Sequence, residues 1–90
     1  MDPLDRLAEA LSVDPTTPAE TGAILSVARD VAHTLERRIT PVSTYLLGIS
    51  VERRIAGGAS RDEALRAALS DLRASLPAET GEGDPSPNAE

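Results

Sequence analysis

The sequence contains no cysteine, lysine, phenylalanine or tryptophan, and it has a single tyrosine, histidine and methionine. The absence of cysteine excludes disulfides and metal sites built from thiolates. Without Phe and Trp, the core has to be built from Leu, Val, Ile and Ala side chains, which bury less apolar area. In a chain of 90 residues, such a core leaves a thin margin of stability. It favours regular helix packing or support from a partner chain.

Long apolar runs are also missing. The longest, residues 42–51, has ten residues and includes polar ones, whereas a helix needs about 20 apolar residues to cross a bilayer. No basic segment followed by an apolar one opens the chain, as a signal peptide would. From these features we expect a soluble, cytoplasmic protein that does not associate with membranes.

The formal net charge is −6, and it is unevenly distributed. Residues 1–20 carry five acidic side chains and one arginine, whereas residues 29–54 carry five arginines and three acids. Affinity for nucleic acid depends largely on clustered basic side chains that neutralise phosphates. An acidic chain without such a cluster is not expected to bind nucleic acid.

Local start signals divide the chain into four predicted helices. Each begins with a side chain that can accept hydrogen bonds from the free N–H groups of a first turn, followed by apolar residues at helical spacing. The signals are Asp2-Pro3, Thr17-Pro18-Ala19-Glu20, Thr40-Pro41 and Ser60-Arg61-Asp62-Glu63. They predict helices over residues 3–12, 18–38, 41–56 and 61–76 within one domain of residues 1–76. Residues 77–90 are acidic and poor in apolar side chains, which predicts a disordered tail.

Short connections favour antiparallel neighbours, so the predicted fold is all-α, a compact four-helix up-and-down bundle. The third helix is apolar on two sides, which predicts that it is central and buried. Its two apolar sides are Val42, Tyr45, Leu46 and Ile49, and Leu47, Val51 and Ile55, with a narrow polar strip of Ser43, Ser50 and Arg54. Tyr45 is expected in the core, with its hydroxyl on a polar neighbour. Gly48, inside this helix, indicates a close approach by a neighbouring backbone.

The joint between the second and third helices holds the candidate binding residues. Arg29, His33 and Arg37 are spaced to form one stripe on the second helix, where they could hold a phosphate or carboxylate or simply face solvent beside acidic neighbours. Arg38 falls towards the core, where it could bind a ligand or the free carbonyls that end the helix.

The start of the third helix offers a second part of the same candidate site. Thr40, Ser43 and Thr44 place hydroxyl groups beside free N–H groups, an arrangement that can bind an anion. The same residues could instead act as ordinary helix caps, with Thr40 at the N-cap position.

Glu52 is predicted on the buried side of the third helix, where a carboxylate needs a partner. If the second and third helices are antiparallel, Arg29 lies nearby, which predicts a buried ion pair. The functional alternative is a carboxyl group with a raised pKa that acts as an acid or a base.

No pattern indicates a metal, a cofactor or a catalytic centre. His33 and Glu36 have the spacing found in metal-binding bundles, but such sites need a second motif and further carboxylates. No nucleophile stands at a diagnostic spacing from a base, and Gly57-Gly58 is a turn rather than a phosphate-binding loop. We therefore expect no enzymatic activity from this chain.

The segment ARDVAHTLERRITPVSTYLLG, residues 28–48, resembles a family of small helical bacterial domains of unknown function, and the resemblance extends over residues 4–76. The matching positions are Ala28, Arg29, Val31, Ala32, His33, Glu36, Arg37, Pro41, Thr44, Tyr45, Leu46 and Gly48. Ser43 departs from the expected Thr but keeps the hydroxyl group. The resemblance implies a domain found alone or fused to nucleotidyltransferases of molybdenum-cofactor (molybdopterin guanine dinucleotide) biosynthesis. It implies no catalytic residues.

Two functional hypotheses follow. The first is a non-catalytic helical module that binds a protein partner, such as a cofactor-synthesis nucleotidyltransferase, or a second copy of itself. The second is a sensor that binds a phosphate, nucleotide or pterin at the joint between the second and third helices, with candidate residues Arg29, His33, Arg37, Arg38, Thr40, Ser43, Thr44 and Tyr45.

Overall fold

A computed structural model describes residues 2–77, which form four α-helices with no strand among those residues. The helices are α1 (Pro3–Ala10), α2 (Pro18–Thr34), α3 (Ile39–Ala56) and α4 (Arg61–Ser75). The predicted all-α fold with four helices is confirmed. Apart from Pro77, the predicted disordered tail (residues 77–90) lies outside the described residues.

Three of the helices begin as the local sequence predicts. The Asp2 side chain accepts a hydrogen bond from the Leu4 backbone N–H at 2.7 Å. Thr17 and Glu20 form a reciprocal capping box at the start of α2, and Ser60 and Glu63 form another at the start of α4. Each box satisfies two N–H groups that have no partner within the helix, so the first turn is fixed by residues three positions apart.

The joint between α2 and α3 differs from the prediction. Helix α2 ends at Thr34 rather than at residue 38, because Leu35 is extended, with φ −127° and ψ −162°. Helix α3 begins at Ile39, so Pro41 is its third residue. Proline is tolerated there because the first N–H groups of a helix have no intrahelical acceptor. Thr40 is therefore inside the helix, and the N-cap residue is Arg38, whose side chain makes no capping hydrogen bond.

The core lies between α2, α3 and α4, each of which packs against the other two. Its buried residues are Val27, Leu47, Ala68 and Leu69, and the partly buried side chains around them are Ala23, Ile24, Val51, Leu65 and Leu72. Val31 of α2, Ala64 of α4 and Ala8 of α1 are also buried, but α1 packs closely against none of the other helices in the described part of the chain.

Helix α3 lies between α2 and α4 but is buried on one side only. Leu47 is 6% exposed, whereas the adjacent Leu46 is 58% exposed. Tyr45 is 69% exposed, so the prediction that it is a core aromatic is wrong. The predicted close approach at Gly48 is also wrong, because a Cβ atom built there would have no neighbour within 4 Å.

The polar strip of α3 faces α4 rather than solvent. Ser43 is buried and its hydroxyl donates to the Thr40 carbonyl at 2.6 Å. Arg54 is half-buried and forms an ion pair with Asp71 of α4. Small serines allow close approach to the alanine-rich side of α4, and a serine hydroxyl can be satisfied by its own helix backbone. The core side of α3 is therefore less apolar than its outer side.

Candidate functional site: an exposed apolar face on α3

Four large apolar side chains lie exposed in one stripe along α3. Val42, Tyr45, Leu46 and Ile49 are 56%, 69%, 58% and 41% exposed. Their spacing (i, i+3, i+4, i+7) places them on one side of a helix. We call these four residues the α3 face. Single exposed apolar residues are ordinary, but a contiguous set on one helix is typical of a surface that binds another molecule.

Arginines stand at both ends of this stripe. Arg53 follows Ile49 by one turn and lines an open depression together with Leu46 and Ile49. Arg38 precedes Val42 by one turn and is exposed. Residues four apart in a helix lie on the same side. The α3 face is therefore an apolar strip with an arginine at each end.

Arg38 does not have the structural role considered from the sequence. Its Nε donates to Glu36 Oε1 at 2.6 Å, and both side chains are largely exposed. Because α2 ends four residues earlier than predicted, Arg38 is not at the end of α2 and does not cap it. The same early end places Arg37 in the turn after α2, so the predicted stripe of Arg29, His33 and Arg37 along one helix is interrupted.

The candidate residues of the α2–α3 joint differ in their burial and in their hydrogen-bond partners. Arg29, His33 and Arg37 are exposed. The hydroxyl of Thr44 donates to the Pro41 carbonyl at 2.8 Å, as that of Ser43 does to Thr40. Thr40 differs, because its Oγ1 is buried and has no hydrogen-bond partner among residues 2–77. Whether these residues bind an anion stays a prediction.

The predicted buried ion pair between Glu52 and Arg29 is wrong. Both residues are exposed, and the ion pairs of residues 2–77 do not include one between them. The reason is the rotation of α3: with Leu47 towards the core, Glu52 projects about 140° away, on the same outer side as Tyr45. A carboxylate there is solvated, and it needs no buried partner.

The residues of the α3 face were predicted from the sequence to lie in the core, on a buried third helix. Both sides of α3 carry large apolar residues, so periodicity alone could not distinguish the packed side from the exposed one. The signal that was available is the row of small side chains in α4, Ala64, Ala67 and Ala68. A row of small side chains allows a neighbouring helix to approach closely where its own side chains are also small, as Ser43 and Ser50 of α3 are.

In residues 2–77, the part of the chain that the structure describes, no group of three or more His, Asp or Glu side chains is arranged to hold a metal ion. None of the helices in this part of the chain combines the length and the apolar character that crossing a bilayer would require.

Comparison with known proteins places this chain in a family. A family model described as a domain of unknown function (DUF6457) matches residues 3–84. The match covers most of the chain, which therefore belongs to this family, and the predicted resemblance to a domain family of unknown function is confirmed to that extent. No curated protein and no solved structure matches the chain.

Proposed function

We propose that this protein is a non-catalytic interaction module that binds an amphipathic helix of a protein partner on the α3 face. The observation that carries the proposal is the exposure of four large apolar side chains at helical spacing on the outer side of α3. Helix-in-groove recognition uses anchors at this same spacing. Binding would remove their apolar area from water, which stabilises a complex by about 25 cal/mol per Å² before the costs of association.

The apolar side chains of the α3 face define the chemistry of the partner. Its flanking charges have both signs, because Arg38 is paired with Glu36 and Glu52 lies on the same side of the helix as Tyr45. Tyr45 has a large surface with few rotatable bonds, and tyrosine is common among the residues that dominate binding energy. It is the side chain whose removal should weaken binding most.

The more specific form of the proposal is that the partner is a nucleotidyltransferase of molybdenum-cofactor biosynthesis. Its support is the resemblance of residues 28–48 to domains that occur fused to such enzymes. A domain that is fused in some proteins and separate in others can bind the same enzyme in both cases. Titration of the purified enzyme with this protein tests this form, and binding should be lost with Tyr45→Ala.

Site-specific photo-crosslinking tests the general proposal. A photoreactive phenylalanine analogue is placed at Tyr45 in one variant and at Leu25 in a control. Leu25 is also an exposed apolar residue, at 59%, but it lies on α2. Crosslinking in the native host should capture a defined protein from position 45 and not from position 25. Equal products at the two positions, or no product from position 45, would contradict the proposal.

A second candidate function, binding of an anionic small molecule at the α2–α3 joint, is favoured by the buried hydroxyl of Thr40. A buried polar atom without a partner is costly, and a ligand oxygen could satisfy it, with His33 and Arg37 nearby in sequence. A ligand that binds the folded state raises its stability. Phosphate, nucleotides and pterins should then raise the Tm of the wild type but not that of His33→Ala/Arg37→Ala; no shift at millimolar ligand contradicts this candidate.

A further inference from the structure

We draw no further inference here: the strongest candidate, the exposed apolar patch that the α3 face forms on the surface of the bundle, carries nothing beyond the proposed function, because nothing in the structure shows what covers it.

Discussion

Arg61 and Glu20, 41 residues apart in the sequence, join α4 to α2 through two hydrogen bonds. Arg61 Nε donates to Glu20 Oε2 at 3.0 Å, and Arg61 Nη2 donates to Glu20 Oε1 at 3.1 Å. The same Oε1 also accepts from the Thr17 backbone N–H at 2.9 Å. Glu20 therefore completes the capping box of α2 and holds the start of α4, while Arg61 also anchors the connection that precedes α2.

Replacing Arg61 with alanine should lower the free energy of unfolding by about 1–2 kcal/mol, since a paired charge-assisted contact is lost but the arginine is partly exposed. Arg66→Ala is the matched control on the same helix. Its partner Asp62 is four residues away and both side chains are 75% exposed, so the loss should be below about 0.5 kcal/mol. Urea unfolding followed by circular dichroism measures both, and equal losses would contradict the prediction.

The rotation of α3 is tested by two adjacent leucines. Leu47→Ala should destabilise the protein by about 2–5 kcal/mol, because it opens a cavity in the core, and in so small a domain this is enough to unfold much of the population. Leu46→Ala should cost less than about 1 kcal/mol, since that side chain is already exposed. The comparison is made in monomeric protein at high dilution. A larger loss of stability from Leu46→Ala than from Leu47→Ala would show that Leu46, and not Leu47, faces the core.

Replacing Gly48 in α3 with alanine should stabilise the protein, whereas the substitutions above destabilise it. A Cβ atom at Gly48 meets nothing within 4 Å, and alanine is favoured over glycine in a helix by about 1 kcal/mol. Gly48→Ala should therefore raise the Tm. Gly58 has φ +114°, which alanine rarely adopts, so Gly58→Ala should lower the Tm. Differential scanning calorimetry measures both shifts, and a fall in Tm for Gly48→Ala would indicate a neighbour that the fold does not contain.

The capping box of α4 should make stability dependent on pH. Hydrogen bonds from the backbone and side chain of Ser60 lower the pKa of Glu63 below its usual 4.5. A carboxyl group whose pKa is lower in the folded state contributes stability above its unfolded pKa and loses it as the pH falls through the folded pKa. The wild type should thus be more stable than Glu63→Gln above pH 4.5, and the difference should vanish on acidification. If the difference in stability between the wild type and Glu63→Gln were the same at every pH, the prediction would be contradicted.

The α3 face shows which structural features can be predicted from the sequence and which cannot. Val42, Tyr45, Leu46 and Ile49 could be recognised as one side of a helix from their spacing, and residues 28–48 indicated a helical domain family of unknown function. Their exposure could not be predicted, because a second apolar side on the same helix, with Leu47 and Val51, was equally suited to the core. The choice depends on how α3 packs against α2 and α4, where Ala68 of α4 lies in the same core cluster as Leu47.

What the sequence determined by itself was local. Asp2, the Thr17–Glu20 box and the Ser60–Glu63 box each join groups within two or three residues, so the start of a helix can be recognised without knowledge of its neighbours. Tertiary structure decided which side of α3 is buried, that α1 does not pack closely against the other described helices, and that Glu52 is solvated. These outcomes depend on the packing of residues far apart in the chain, and burial is set by the shape of the neighbouring surface as well as by the hydrophobicity of each residue.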